Sequence, residues 1–272
     1  MHLDRILATT REDVAQRKQR QSLSALEDLA ADHRPRGFAA RLRERAQQGP
    51  AIIAELKKAS PSKGLIRENF EPASLARSLT NAGAAALSVL TDEPFFQGSL
   101  SNLLQASDAT AIPCLRKDFI VDQFQILEAR AYRADAILLI AAALDDTEMR
   151  SLTDAAHQIE LDVLCEVHTA AELDRVGALG CDAYGVNNRN LDTFEVTLET
   201  SLALADGLPK NALRVAESGI HTAEDLVLLR SAGFQAFLIG EFLMRQPDPG
   251  GALAQLLASA TQAQPVLSVK ER

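Results

Sequence analysis

Ala51-Ile-Ile-Ala-Glu-Leu-Lys57 is the first of eight short apolar runs, each closing on polar or glycine residues and followed by a stretch with helical spacing. The other runs are Ala86–Thr91, Ile112–Lys117, Ala136–Ala141, Asp162–Val167, Ala183–Asn188, Leu213–Ser218 and Ala236–Gly240. Successive starts lie between 21 and 35 residues apart, which suits a parallel strand plus its crossover helix. Eight such units predict an α/β protein with a TIM (β/α)8 barrel, whose active site lies at the carboxyl ends of the strands.

Residues 1–47 precede the first run and place apolar residues at helical spacing, including Leu3, Ile6 and Leu7. We therefore expect an N-terminal helical extension of the same domain over 1–47 and the catalytic barrel over 48–272. Three placements of the extension stay open: it caps the amino-terminal mouth, crosses the active-site mouth or pairs with another subunit. A doubly wound open sheet is the structural alternative, but no Gly-x-Gly-x-x-Gly follows the first run and no ninth run appears.

The 272 residues carry a net charge of -9 and are 47% hydrophobic. Such an acidic chain disfavours nucleic acid and anionic membrane surfaces as partners. The opening Met1–Leu7 alternates charged and apolar residues, unlike a secretory signal. We expect a cytoplasmic protein that acts on a small molecule, without a nucleic-acid or membrane partner, as a monomer or weak homo-oligomer.

Three cysteines, Cys114, Cys165 and Cys181, lack the spacing of a metal site or a disulfide framework. Cys114 and Cys165 lie inside predicted strands, where a thiol behaves as a small hydrophobic side chain. We therefore expect buried, reduced cysteines and no metal.

Charged residues at the ends of the runs are the first candidates for chemistry. Strand side chains alternate between two faces, so Glu55 and Lys57 point the same way. Lys117 ends the third run and Glu166 lies near the end of the fifth, so the four groups are expected to meet at one mouth. There, burial and opposite charges together tune a group for proton transfer. Structural Lys–Glu pairing is the alternative for any one of these residues alone.

The loops after the seventh and eighth runs are expected to bind phosphate. Gly219 and Gly240 stand where many barrels present backbone N–H groups to a phosphate. Glu241 starts a segment that is able to form the short extra helix of such sites. A long loop after the first run, 58–71, contains serine, lysine and arginine and predicts a mobile, anion-handling flap.

Aromatic residues near these ends predict an apolar wall for a substrate with an aromatic part. Phe95 and Phe96 stand together in the loop after the second run, and Phe119 follows Lys117-Asp118. Packing beneath their own loops is the alternative. His168 comes two residues after Glu166, and we interpret it as a loop histidine without a catalytic role.

Five motifs in this order strongly resemble the indole-3-glycerol phosphate synthase family across essentially the whole chain. They are Ile53-Ala-Glu-Leu-Lys-Lys-Ala-Ser-Pro-Ser-Lys-Gly64, Leu115-Arg-Lys-Asp-Phe119, Glu166-Val-His168, Gly185-Val-Asn-Asn-Arg-Asn-Leu191 and Ala216-Glu-Ser-Gly-Ile220. The resemblance implies a barrel that converts 1-(2-carboxyphenylamino)-1-deoxyribulose 5-phosphate into indole-3-glycerol phosphate, carbon dioxide and water, without a cofactor. The implied partner is therefore a small phosphorylated anthranilate derivative.

The resemblance also implies residue roles. Lys117 would be the general acid of ring closure and Glu166 would serve the dehydration, while the sharing of the acid role between Lys117 and Lys57 stays open. Glu55 would orient the lysines and the substrate hydroxyls, and Asn187 and Ser218 would hold the reacting groups in place. Arg189, with Ser60, would bind the anthranilate carboxylate, and Phe95, Phe119 and Glu217 would bind other parts of the substrate. The phosphate would bind around Gly219, Gly240 and Glu241. Among the last three, the backbone would hold the anion and the Glu241 side chain would point away.

Two other functions stay open from the sequence. In a class I aldolase-type barrel, Lys117 would form a Schiff base with a carbonyl substrate. A barrel without catalytic activity would bind a phosphorylated ligand or a partner protein.

Overall fold

Eight parallel strands form a closed barrel in a computed structural model, which describes residues 2–191 and 193–263 apart from the side chain of His2. The strands are β1 (Ala51–Leu56), β2 (Ala86–Leu90), β3 (Cys114–Lys117), β4 (Ala136–Ile140), β5 (Asp162–Val167), β6 (Ala183–Asn187), β7 (Leu213–Glu217) and β8 (Ala236–Ile239). Each strand pairs with the next, and β8 pairs with β1. The predicted TIM barrel is confirmed, and the open doubly wound sheet is excluded.

Helices surround the barrel and precede it. They are α1 (His2–Arg20), α2 (Leu23–Ala31), α3 (Phe38–Ala46), α4 (Pro72–Asn81), α5 (Glu93–Phe96), α6 (Leu100–Asp108), α7 (Gln123–Ala131), α8 (Asp146–Gln158), α9 (Ala170–Val176), α10 (Glu199–Leu204), α11 (Ala223–Ser231), α12 (Glu241–Met244) and α13 (Pro249–Gln262). Side chains of Asp145, Thr169 and Thr222 accept hydrogen bonds from the first turns of α8, α9 and α11, which fixes where these helices begin. No described helix is long and apolar enough to cross a membrane.

The inside of the barrel is filled by an apolar layer. Ile53, Leu115, Leu164 and Val215 come from β1, β3, β5 and β7 and are fully buried in one cluster. Because strand side chains repeat every two residues, the next inward position on each of these strands lies one step closer to the carboxyl-terminal mouth. The apolar layer therefore forms the floor of that mouth.

The N-terminal extension contacts both ends of the barrel. On α1, Leu3 and Ile6 line the cavity at the carboxyl-terminal mouth. On α3, Phe38 and Leu42 are buried in the same cluster as Ile53 and close the opposite end. Two of the three placements considered for this segment thus occur together in one chain.

A buried ion network ties α1 to the strand that carries Lys117. Arg116 points outward from β3 and pairs with Asp118 at 2.8 Å and with Glu128 of α7 at 3.3 Å. Arg17 of α1 reaches the same Glu128 carboxylate at 2.5 Å. Glu128 is fully buried between the two guanidinium groups, so the position of α1 over the mouth is coupled to β3.

At the opposite end, Asp135 holds the link between α2 and α3. Its carboxylate accepts hydrogen bonds from Arg36 Nη2 at 2.5 Å and from the Cys114 backbone N–H at 2.6 Å, and His33 Nε2 lies 3.2 Å away. Burial alone would raise the pKa of Asp135, but these donors outweigh it and the pKa lies below its usual value of 3.8. The stabilisation is therefore present above pH 3.8 and is lost as the pH falls through the lower folded-state value.

Asp135→Asn is expected to lower the free energy of unfolding at pH 7 by about 3 to 5 kcal/mol, because it leaves Arg36 without its buried anion. Glu44→Gln, which breaks the exposed pair with Arg41, should change it by less than about 1 kcal/mol. Urea unfolding at pH 7 and at pH 3 measures both. Equal losses for the two variants, or a loss from Asp135→Asn that does not shrink at the lower pH, would contradict this account.

Candidate active site

Four charged side chains stand directly above the apolar floor. Glu55, Lys117, Glu166 and Glu217 each follow, by two residues, one of the floor residues on β1, β3, β5 and β7. All four line one cavity of about 410 Å³ at the carboxyl-terminal mouth. The convergence expected for Glu55, Lys57, Lys117 and Glu166 is present in the geometry, and Glu217 joins them.

Lys117 lies between two carboxylates. Its Nζ is 2.6 Å from Glu166 Oε2 and 3.0 Å from Glu217 Oε2. Burial would lower the pKa of Lys117, but the charges of Glu166, Glu217 and Glu55 outweigh it and raise the pKa above its usual 10.5. The side chain is therefore a charged ammonium group, which donates hydrogen bonds to both carboxylates.

Lys57 and Glu55 form a second ion pair beside the first. Lys57 Nζ lies 2.6 Å from Glu55 Oε1, and both side chains are largely buried. The pair gives the mouth a second cation on the β1 side of the cavity. An anionic substrate group is able to compete with Glu55 for this ammonium group.

Glu217 is the carboxyl group in the cavity that is readiest to take up a proton. Burial, together with the nearby Glu166 charge, raises its pKa to about 7, although Lys117 acts in the opposite direction. Its Oε1 is buried without a hydrogen-bond partner in the described part of the chain. Gly185 leaves room for it, since a methyl group there would lie 3.3 Å from Glu217 Cδ. Glu217 therefore lines the cavity with one carboxylate oxygen that makes no hydrogen bond within the described residues.

Asn187, Arg189 and Ser218 lie on the β6 and β7 side of the cavity. Asn187 donates from Nδ2 to Glu166 Oε1 at 3.2 Å and accepts the Arg189 backbone N–H at 3.0 Å. Among the described residues, the guanidinium of Arg189 makes two long contacts, 3.5 Å to Glu241 and 3.5 Å to the Phe194 carbonyl. It is thus well placed to accept a carboxylate in exchange.

The loops after β7 and β8 bring backbone close to the cavity. Ser218 and Gly219 both adopt positive φ, 67° and 76°, a conformation that costs a non-glycine residue about 1 to 2 kcal/mol. A methyl group at Gly219 would lie 2.6 Å from Val196 Cγ1, and one at Gly240 would lie 2.9 Å from Glu55 Cβ. Both glycines are therefore required by close approach. Gly240 directly precedes α12, the short helix that was expected to begin at Glu241.

Glu241 is held by cations rather than left facing the cavity alone. Its Oε1 accepts from Arg245 Nε at 3.1 Å, and its Oε2 lies 3.5 Å from Arg189. Burial raises the pKa of Glu241, but Arg245, Lys63 and Lys57 outweigh it and the pKa is lowered. The side chain is a carboxylate that balances the surrounding cations.

One wall of the cavity is aromatic and aliphatic. Phe96 and Phe119 lie with ring centroids 6.3 Å apart, and both line the cavity with Leu3 and Ile6 of α1. Phe95 lies outside it, with Arg5 of α1 placed 5.6 Å above its ring. Phe96, rather than the expected Phe95, therefore lines the cavity, because the turn of α5 directs successive side chains to different sides.

The 58–71 loop lines the cavity through Ser60 and Lys63 and folds into a hairpin of Ala59–Ser60 with Gly64–Leu65. The buried Ser60 hydroxyl has no hydrogen-bond partner among the described residues. Arg67 does not face the cavity: its Nη1 donates to the carbonyls of Met244 and Gln246. It joins the loop to α12.

His168 has a more buried and more highly charged environment than the sequence predicted. It follows β5 as a loop residue, but its side chain is only 10% exposed and lies between the Glu166 and Glu172 carboxylates. The only available signal was its phase, two residues from Glu166. No group of three or more potential metal ligands occurs within residues 2–191 and 193–263.

Comparison with known proteins gives a consistent result. A model of the family described as indole-3-glycerol phosphate synthase matches residues 3–256. The chain is 60% identical over 255 residues to an indole-3-glycerol phosphate synthase of Koribacter versatilis, covering 94% of this chain and 98% of that protein. It is 51% identical over 255 residues to one of Burkholderia vietnamiensis, covering 93% and 98%.

Solved structures with low sequence identity share the barrel. A 3-hexulose-6-phosphate synthase of Salmonella typhimurium aligns with a TM-score of 0.62 at 14% identity, over 79% of this chain and 100% of that one. A thiamine phosphate pyrophosphorylase of Pyrococcus furiosus aligns with a TM-score of 0.59 at 14% identity, over 80% and 98%. At this identity the similarity concerns the fold alone.

Proposed function

The chain belongs to the indole-3-glycerol phosphate synthase family, and from that premise we propose that Lys117 supplies the proton for ring closure. The enzyme is a carboxy-lyase of tryptophan biosynthesis, and its substrate is a small phosphorylated molecule. The observation that carries the proposal is the Lys117 ammonium group, paired with Glu166 and Glu217 inside a cavity with an aromatic wall.

Ring closure joins an anthranilate ring carbon to the ribulose carbonyl carbon. The carbonyl π electrons move onto oxygen as the new carbon–carbon bond forms, and Lys117 protonates that oxygen. A positioned ammonium group stabilises this developing charge. Lys57 holds the anionic substrate, and Glu55 orients Lys57.

Decarboxylation and dehydration follow. The carbon–carboxylate bond breaks, and its electron pair restores the aromatic ring. The hydroxyl formed in ring closure then leaves as water when it is protonated, while one proton is removed to complete the indole double bond. Glu166 carries out these proton transfers. Asn187 donates a hydrogen bond to its Oε1 and keeps the carboxylate in place, and Ser218 lines the same cavity.

Substrate binding divides among the remaining residues of the cavity. Arg189 takes the anthranilate carboxylate with help from the unpaired Ser60 hydroxyl. Phe96 and Phe119 contact the aromatic ring, and Glu217 accepts a hydrogen bond from a ribulose hydroxyl.

The phosphate is bound by backbone around Gly219 and Gly240, and the Glu241 carboxylate at the cavity wall is paired with Arg245. Gly240→Ala is expected to raise KM about tenfold or more, because the new methyl group would lie 2.9 Å from Glu55 Cβ and Cδ and displace this backbone. Gly207→Ala is the control, since its methyl group would meet only a flexible Leu173 carbon at 3.2 Å. Steady-state kinetics measure KM for both variants. An unchanged KM in Gly240→Ala would contradict phosphate binding by the Gly240 backbone.

A Schiff-base reaction of the aldolase type requires a neutral amine, whereas two carboxylates keep Lys117 charged. The direct test incubates purified protein with the carboxyphenylamino substrate and follows indole fluorescence, with and without borohydride. We expect product without a trapped adduct. A borohydride-dependent adduct on Lys117 would favour the aldolase mechanism, and binding without product would favour a barrel that only binds.

The expected cytoplasmic location and the expected monomer or weak homo-oligomer stay predictions. Sedimentation velocity at two protein concentrations measures the second of them. A tight oligomer at low concentration would contradict it.

A further inference from the structure

His168 faces a carboxylate with each of its ring nitrogens. Its Nε2 lies 3.3 Å from Glu166 Oε1 on β5, and its Nδ1 lies 3.3 Å from Glu172 Oε2 on α9. All three side chains are largely buried, with Glu166 only 3% exposed. The ring therefore forms a bridge between the catalytic mouth and the helix behind it.

Only the protonated ring fits this position well. Neutral imidazole has one N–H and one lone pair, so one carboxylate would face a lone pair at close range. Imidazolium donates from Nδ1 to Glu172 and places its positive charge 3.3 Å from Glu166 Oε1. Burial would lower the pKa of His168, but Glu166 and Glu172 outweigh it and raise the pKa to about 9. The ring is thus a cation across the neutral pH range.

The local fold fixes the ring against α9. The backbone N–H of His168 donates to Glu172 Oε2 at 2.8 Å, the same oxygen that faces Nδ1. Glu172 is itself placed by the helix cap, because its own N–H donates to Thr169 Oγ1 at 3.2 Å. The histidine consequently stands on a rigid support rather than on a free loop.

We propose that His168 is a positioning residue, which keeps Glu166 ionised and in place for the proton transfers of dehydration. This inference rests on the role proposed above for Glu166. The Glu166 carboxylate is enclosed by Lys117 Nζ on Oε2 at 2.6 Å and by His168 and Asn187 on Oε1. His168 does not line the cavity, so it acts on substrate only through Glu166.

The contact with Glu166 is electrostatic rather than a directed hydrogen bond. Nε2 has no well-aligned acceptor in the described part of the chain, although Glu166 Oε1 is near. A nearby charge without a directed hydrogen bond lowers the proton affinity of Glu166 and adds no further hydrogen bond to Oε1, which already accepts one from Asn187. The charged groups that face the ring are Glu166 and Glu172, and Lys117 and Glu217 stand behind Glu166.

The charge of the ring is tested without any assay of activity. In protein labelled with ¹³C-histidine, the signal lost in His168→Gln identifies His168, and its titration midpoint is expected near pH 9. Glu172→Gln should lower this midpoint by about 1 to 3 units, because one of the two anions is gone. A midpoint at or below the ordinary 6.5, or one unaffected by Glu172→Gln, would overturn the inference.

Kinetics test the consequence for Glu166. His168→Gln and His168→Asn keep an amide near Nε2 or Nδ1 but carry no charge, and each is expected to lower kcat about tenfold with KM nearly unchanged. The acidic limb of the kcat profile should move up by about 1 pH unit, because Glu166 loses a neighbouring cation. His157→Gln, which changes a half-exposed histidine paired with Asp182, is the matched control and should leave kcat and the profile unchanged.

Glu166→Gln, measured in parallel, separates the two proposals. Full turnover in Glu166→Gln would refute the role of Glu166 whatever the histidine variants do. An inactive Glu166→Gln beside His168 variants with parental kcat and parental pH profile would refute only the present inference. If Glu166 and His168 both have the proposed roles, adding His168→Gln to Glu166→Gln should cause no further decrease in kcat.

Discussion

Lys117→Ala is expected to lower kcat on the order of 10³-fold, the largest effect of any substitution considered for this enzyme. Lys117 Nζ is the cation that lies between Glu166 and Glu217 at the base of the cavity. Without it, the ribulose oxygen gains negative charge during ring closure without its proposed proton donor. Steady-state fluorescence of the indole product measures the loss.

The variant should remain folded, because Lys117 lines an open cavity that water can enter and Glu217 is able to take up a proton when the cation is absent. Circular dichroism and thermal melting check this, with the exposed Lys210→Ala as the control. A folded Lys117→Ala that kept more than about a tenth of parental kcat would show that another group, Lys57 first, donates the proton.

Glu166→Gln is expected to lower kcat about 10²- to 10³-fold, because an amide cannot exchange the protons needed for dehydration. The substitution keeps the shape of the side chain and a hydrogen-bond acceptor for Lys117, so KM should change little. The exposed Glu224→Gln serves as the control, and both variants are compared with the parent by stopped-flow fluorescence. Parental kcat in Glu166→Gln would assign the dehydration to a different group, with Glu217 the nearest carboxyl to Lys117 after Glu166.

The two variants should also fail at different points. Lys117→Ala stops the first bond formation, so carbon dioxide and indole are lost together. Glu166→Gln stops the last step, so carbon dioxide should still be released while the indole ring is not completed. The separation follows from the proposed roles, because Lys117 acts before carbon dioxide is lost and Glu166 acts after it.

The barrel and its charged mouth were predictable because both follow from short-range rules. Strand length and helix spacing give eight units, and two-residue alternation carries Ile53 to Glu55 and Leu115 to Lys117. Once the barrel closes, these positions must meet. The positions of Gly219 and Gly240 after β7 and β8 were predictable for the same reason.

The directions of some long side chains depend on tertiary contacts that the two-residue alternation of strand side chains does not predict. Arg116 is next to Lys117 in the sequence, yet it points outward and joins Glu128 and Arg17 in the network that positions α1. Arg67 was expected to handle anions, but carbonyls of a distant segment accept its hydrogen bonds. The direction of such long side chains is set by partners far away along the chain.

His168 shows the same limit in the active site itself. Its phase with Glu166 was visible, but its second partner, Glu172, is supplied by the first turn of α9. A histidine beside one carboxylate can stay neutral and donate its single N–H, whereas two carboxylates, one at each ring nitrogen, favour the protonated ring. Only the folded arrangement of strand end and helix cap distinguishes the two cases.

A single-turnover experiment with substrate labelled in its carboxylate carbon, and with enzyme in excess, tests the division of labour between Lys117 and Glu166 most directly. Quenched samples report labelled carbon dioxide and completed indole-3-glycerol phosphate from the same reaction. We predict that the parent forms both, that Glu166→Gln releases carbon dioxide well ahead of indole, and that Lys117→Ala releases neither. Parental release of carbon dioxide by Lys117→Ala would contradict the assignment of Lys117 as the acid of ring closure.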